Sequence, residues 1–125
     1  MKKQYIKTDK YGSNFHSDAA MTILHREDGP AVEYNDGEKE WYINGKRHRE
    51  DGPAVEGAHG YNAWYINGER HREDGPAMEY ANGYKAWYIN GKLHREDGPA
   101  VDWGDGDEEW YINDEQVNED GTPFA

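Results

Sequence analysis

The sequence predicts an all-β protein: an elongated antiparallel sheet of stacked β-hairpin repeats. Three observations predict it. The first is a repeat. His-Arg-Glu-Asp-Gly-Pro-Ala occurs at 25–31, 48–54, 71–77 and 94–100, a constant 23-residue period. Trp-Tyr-Ile-Asn follows the same period at 41–44, 64–67, 87–90 and 110–113, and a Gly recurs at 37, 60, 83 and 106. A fixed period of this length marks units that bury a face only by stacking on neighbours. The second is local composition. Ala-Val-Glu-Tyr and Trp-Tyr-Ile are rich in β-formers and are bounded by turn residues. The third is the punctuation. Asp36-Gly37, Asn82-Gly83 and Asp105-Gly106 each sit between two short runs, which is a hairpin signature.

Composition agrees with a small packed domain. The chain has 125 residues, enough for one domain. It has 14 Lys and Arg against 26 Asp and Glu, a formal charge of −12, with 34% hydrophobic residues. That balance alone points to disorder, but five Trp and ten Tyr point to a folded chain with a core of rings. Cys is 0, which excludes a disulfide framework, a thiolate metal site and a Cys nucleophile. No run approaches the roughly 18 apolar residues that span a bilayer. No apolar run follows Lys2 and Lys3, so a secretory signal is not expected. The expected location is cytoplasmic. The charge disfavours direct contact with nucleic acid or membrane and favours a partner protein with a basic surface.

The elements follow in order. Residues 1–24 read as an N-terminal cap with a degenerate half-repeat. Tyr11 lies one period before Tyr34, and Asp18 stands where Trp would be. Residues 25–113 are four 23-residue hairpin units. Residues 114–125 are an acidic C-terminal cap, in which Val117-Asn118-Glu119-Asp120-Gly121-Thr122-Pro123 replaces a fifth loop. Within a unit, taking Asp36-Gly37 as a two-residue turn pairs Tyr34 with Lys39, Glu33 with Glu40 and Val32 with Trp41. Alternation then places Val32, Tyr34, Trp41 and Ile43 on one face and Glu33, Glu40 and Tyr42 on the other. The expected core is Trp41, Trp64, Trp87 and Trp110 with Val32, Val55, Val101, Ile43, Ile66, Ile89 and Ile112. Residues 44–53 join one hairpin to the next, beginning with an Asn-Gly turn and adding a strand at Arg47–Arg49. The sequence leaves open whether a unit has two strands or three.

A 23-residue unit with W-x-x-N-G-K-x-H, then Gly, an aromatic and D-G, resembles a MORN repeat. The small residues usual after His are replaced here by Arg-Glu-Asp-Gly-Pro-Ala. The unit is more similar to variant repeats of phage and giant-virus proteins, which carry H-R-E-D-G-P-A and W-Y-x-N-G. The resemblance covers about residues 18–121. It implies an elongated sheet of stacked hairpins and a protein-binding scaffold and, if a phage encodes the chain, the cytoplasm of a bacterial host.

The chemistry expected of the repeats is limited by their spacing. Adjacent two-stranded units lie roughly 10 Å apart, so His25, His48, His71 and His94 form a row too open to share one metal ion. Each His is expected to pack or hydrogen-bond beside its Trp. The Arg-Glu-Asp stretch reads first as structure: the Asp side chains accept turn amides, and the Arg side chains reach acidic groups on the next repeat as a ladder of ion pairs. The alternative is a strip that grips an extended partner. The Trp row reads as core rather than as a sugar or base platform. The row Tyr42, Tyr65, Tyr88 and Tyr111 is expected on the second face, as a contact surface or as a second packing layer. His16-Ser17-Asp18 are adjacent in sequence, which does not make a triad, and no phosphate loop appears. The stretch 102–107 has Gly104 and Gly106 where calcium ligands belong. The expected chain is therefore not an enzyme and has no metal or cofactor. Charge is uneven: residues 1–10 carry four Lys and one Asp, while 101–125 carry nine acids and no Lys or Arg. The acidic group Asp102, Asp105, Asp107, Glu108 and Glu109 is a second candidate contact surface, for a basic partner. Three functions follow: a protein-binding module; an acidic inhibitor that mimics DNA on a host-defence protein; or a structural, self-assembling element that forms homo-oligomers.

Overall fold

A computed structural model describes residues 5–20 and 22–124. It is all-β, and its strands are short. β1 (Ile6–Thr8) and β2 (Asn14–His16) open the chain. Unit one supplies β3 (Val32–Glu33), β4 (Lys39–Glu40), β5 (Tyr42–Ile43) and β6 (Lys46–Arg47). Unit two supplies β7 (Val55–Glu56), β8 (Asn62–Ala63), β9 (Tyr65–Ile66) and β10 (Glu69–Arg70). Unit three supplies β11 (Met78–Glu79), β12 (Lys85–Ala86), β13 (Tyr88–Ile89) and β14 (Lys92–Leu93). Unit four supplies β15 (Val101–Asp102), β16 (Glu108–Ile112) and β17 (Glu115–Val117). The main sheet is an open antiparallel meander, β1-β2-β3-β4-β7-β8-β11-β12-β15-β16-β17.

Each full unit therefore holds two hairpins. The first lies in the main sheet. The second, β5–β6, β9–β10 or β13–β14, forms a separate ladder. Its turn is Asn44-Gly45, with φ of 51° and 78°, between paired Ile43 and Lys46. Two successive left-handed residues make the turn whose twist matches a hairpin, which explains Asn-Gly at this point of the repeat. The strand after it is Lys46–Arg47, earlier than the Arg47–Arg49 expected from sequence. Neighbouring second hairpins are tied by backbone bonds, Arg49 N–H to Tyr65 O at 3.1 Å and Gly68 N–H to Arg47 O at 2.8 Å, and again one period on.

The register of the first hairpin differs from the expected one by a single residue. Glu33 faces Lys39 and Val32 faces Glu40. The loop has three residues, Asn35-Asp36-Gly37, and is closed by Tyr34 N–H to Glu38 O at 2.9 Å. Gly37 has φ of 96°, the left-handed residue that ends a three-residue hairpin loop. A one-residue shift exchanges the two faces. Thus Val32 shares its face with Glu40 and the Tyr42 row, not with Trp41. The like-charge pair Glu33–Glu40 is replaced by Glu33 opposite Lys39.

The core follows from that exchange. Fully buried residues are chiefly small: Ala31, Ala54, Ala77 and Ala100 from the loop motif, and Ala63 and Ala86 at the position of Glu40. Val32, Val101, Met78 and Tyr65 are buried among them, whereas Val55 is half-buried. The four Trp and the four Ile placed in the core by sequence are all half-buried. The cluster Ala54, Ala63, Tyr65, Met78 and Ala86 is flanked by Trp41, Val55, Tyr61, Tyr84, Tyr88 and Leu93. Alanine lines the centre, and the large rings of Trp41, Tyr61, Tyr84 and Tyr88 pack against it.

The N-terminal segment repeats the same bonds at a different offset. Asp9 N–H to Ser13 O, Gly12 N–H to Asp9 O and His16 N–H to Ala31 O reproduce the bonds donated by Tyr34, Gly37 and Trp41. These donors lie two positions beyond the 23-residue period. His16, not Asp18, therefore occupies the Trp place. The extra two residues fall between Asp18 and Ile23, where other units have their tight Asn-Gly turn.

Candidate functional site

The loop motif explains itself in the geometry of its arginine. Arg72 Nε donates to Asp74 Oδ1 at 3.1 Å, and Nη1 donates to Pro76 O at 3.1 Å and Glu79 Oε1 at 3.0 Å. The guanidinium lies 3.9 Å from the ring centroid of Trp64. On its other side is Gly75, where a Cβ would come within 2.8 Å of Arg72 Cζ. The same sandwich holds Arg49 on Trp41 at 3.8 Å and Arg95 on Trp87 at 4.0 Å. A planar cation between an indole and a bare α-carbon is a stacking site for Arg that Lys could not fill. The Trp row is thus the floor of the arginine row.

The histidines hold the second turn. His25, His48, His71 and His94 each accept, at Nδ1, the backbone N–H of Asn44, Asn67, Asn90 and Asn113, at 2.9–3.1 Å. They bond to the Asn of W-Y-I-N, two residues beyond the Tyr. Among the described residues, no three His, Asp or Glu gather closely enough to hold a metal ion. Between loops 26–29 and 48–51 runs a groove of about 720 Å³, floored by Trp41 and Ile43. Its Asp28 and Asp51 are paired with Arg26 and Arg49.

The Tyr42 row is a packed layer. Tyr65 is buried, and Tyr42, Tyr88 and Tyr111 are half-buried. Arg47 lies over Tyr42 and Tyr65, and Arg70 over Tyr65 and Tyr88, at 5.4–6.0 Å, so rings and cations alternate along the array. At the two ends of the row a carboxylate joins it. Glu40 accepts from Tyr34 Oη at 3.0 Å, Tyr42 Oη at 2.9 Å and Arg47 Nη2 at 3.2 Å. Glu109 accepts from Trp103 Nε1 at 2.6 Å and Tyr111 Oη at 2.8 Å. Partial burial and the Glu40 carboxylate raise the Tyr34 phenol to about 12. Burial, then Glu109, raises Tyr111 above its usual range.

A further set of rings lies at the first-hairpin loops. Tyr61 and Tyr80 have centroids 4.7 Å apart, Tyr80 and Tyr84 5.4 Å, and Tyr84 and Trp103 5.1 Å. Tyr80 is 41% and Trp103 48% exposed, so the strip is continuous and open to solvent. Sequence reasoning missed it because these positions align to different repeat columns: 80 and 103 with Tyr34, 61 and 84 with Glu38. The signal was present as a ring at one or both columns in each of units two to four. Beside the strip lie the sequence-predicted acids. Asp102 Oδ1 caps Gly104 N–H and Asp105 Oδ1 caps Asp107 N–H, at 2.9 and 3.0 Å, while Asp107 and Glu108 are exposed.

Compared with known proteins, the chain matches no family model, no curated protein and no solved structure.

Proposed function

We propose that this chain is a non-catalytic, MORN-like repeat module that binds another protein through the ring strip Tyr61–Tyr80–Tyr84–Trp103 and its acidic border. The strip carries the reading. Soluble domains seldom expose a continuous run of aromatic surface without a partner for it, and Tyr and Trp are the rings that interfaces favour. The bordering carboxylates select a basic partner, because aromatic faces and acids both attract Lys and Arg. The polar groups of the repeat motif are engaged in the fold: His Nδ1 on turn amides, Asp on Arg, and Arg on Trp. The repeat's resemblance to phage and giant-virus proteins makes a bacterial host protein the natural target.

The nine acids of 101–125 favour one competing reading, an acidic inhibitor on a nucleic-acid-binding surface. The two separate by experiment. The wild-type chain, Tyr80→Ala/Trp103→Ala and Asp105→Asn/Asp107→Asn/Glu108→Gln are immobilised and exposed to bacterial lysate. Under the proposal, a protein held by wild type through high salt is lost from the ring variant, whose circular dichroism is unchanged. Elution at moderate salt, with loss only from the charge variant, favours the inhibitor. Equal retention by all three removes the strip as the site.

A further inference from the structure

Unit four departs from the arginine sandwich. Asn118 stands one period beyond Arg95, in the arginine column of the repeat. The loop that follows is not the R-E-D-G-P loop but a three-residue hairpin loop, closed by Asn118 N–H to Thr122 O and Gly121 N–H to Asn118 O at 2.8 Å, and Asn118 Nδ2 donates to Pro123 O at 3.0 Å. Asn118 carries no charge and is too short to lie across an indole. Among the described residues, cations lie over Trp41, Trp64 and Trp87 at 3.8–4.0 Å, and none over Trp110. The glycine side of the sandwich differs as well. A Cβ at Gly52, Gly75 or Gly98 would meet a guanidinium at 2.6–2.8 Å, whereas one at Gly121 would meet nothing within 4 Å. Glu119 and Asp120 flank this loop, and both are exposed.

We infer that Trp110 is a receptor for an arginine side chain supplied in trans by a basic partner protein. The chain itself displays the fit three times: the same indole, at the same point of the repeat, takes a guanidinium face-on at van der Waals distance. Indole is the strongest aromatic cation acceptor, and arginine stacks on it better than lysine. The surrounding charge completes the match, for 101–125 holds nine acids and no Lys or Arg that could compete for the ring. Trp110 is not one of the stacked rings of the proposed binding strip, so each can be altered alone.

The probe is the peptide Ac-Gly-Arg-Gly-Arg-Gly-NH2, with citrulline replacing arginine as the neutral control. The readout is the indole N–H resonance of each Trp, assigned by Trp→Phe variants. Addition of the arginine peptide should move Trp110 and leave Trp41, Trp64 and Trp87 in place, and the citrulline peptide should move none. Asn118→Arg should fill the site in cis, raising the melting temperature and weakening the peptide at least tenfold. Asn118→Ala should leave binding intact, and Trp110→Leu should abolish it. Tyr80→Ala should not change the Trp110 response, which separates this site from the strip. Equal shifts at all four units, the same response to citrulline, or full binding by Asn118→Arg would overturn the inference. So would a self-association in sedimentation that Asn118→Arg abolishes, since the arginine would then come from a second copy.

Discussion

At the residue scale, one side chain closes each unit. Arg72 bridges Asp74, Pro76 and Glu79 of its own unit and covers Trp64 of the unit before. Exposed ion pairs contribute little, about 0–1 kcal/mol each. A half-buried guanidinium with three acceptors and a ring is worth more, so Arg72→Ala should cost about 2–3 kcal/mol. Gly75 has no left-handed φ to protect, and its role is space: Arg72 Cζ lies 2.8 Å from where a Cβ would be. Gly75→Ala should therefore displace the guanidinium and cost about 1–3 kcal/mol. If so, the methyl is harmless once the arginine is gone. The double variant should be more stable than the sum of the singles predicts by at least about 1 kcal/mol. Urea denaturation of the four proteins measures this directly, and strict additivity would refute the sandwich. The recurrence of R-E-D-G was legible in the sequence, but its Asp accepts from the Arg two residues before it, where a turn amide was expected, and the Arg pairs with acids of its own unit, where the next repeat was expected. The stack on Trp was not, because its partners are eight residues apart and in different units.

At the element scale, hairpins and their positions were legible, and the exact turn was not. Asp-Gly signals a two-residue loop as readily as the end of a three-residue one, and only the backbone decides between them. That single residue sent the Trp row to the wrong face and the Tyr42 row out of the core. Ala63 and Ala86 held a clue: alanine at the Glu40 column of two central units marks a crowded position, not relief of a like-charge pair. Glu40 itself keeps its place in an end unit by binding two phenols and Arg47. This cluster has a pH signature. The Tyr34 phenol is raised to about 12 against an ordinary value of about 10, by burial first and by Glu40 second. Between those values the unfolded chain has lost the proton and the native chain retains it. The native state then binds more protons, so stability falls as pH rises from about 10 to about 12. Below pH 10 the contribution is fully present. Tyr34→Phe should flatten this alkaline fall, although Tyr42, Tyr61, Tyr84 and Tyr111 are also raised and will leave a remainder. Melting temperatures from pH 9 to 12 for both proteins provide the check. An unchanged slope would mean that Tyr34 does not donate to Glu40 in solution.

At the scale of the whole molecule, the same contacts between neighbouring units recur along the array. Each of units two to four pairs its first strand with the unit before, lays its arginine on that unit's Trp, and gives its histidine N–H to the carbonyl of the same Trp. The sequence shows this through its constant 23-residue period, and it shows the ends through loss of the period. The offset at the N-terminal segment escaped it, because His16 replaces Trp and two added residues break the alignment. A protein built this way has a stability that sums unit terms and interface terms. Deleting residues 71–93 tests that arithmetic. Arg70 would join His94, Ala63 would face Val101 as Ala86 does, and Arg95 would cover Trp64. Each of these joints has a counterpart of the same kind in the parent. The variant should fold, melt in one transition at a lower temperature, and show a urea m-value smaller by roughly a fifth, since m follows the surface exposed. The parent strip would lose Tyr80 and Tyr84 with that unit. The same variant should therefore keep its fold while releasing the partner held by the strip. A chain that fails to fold would instead mean that stability is carried by couplings longer than one unit.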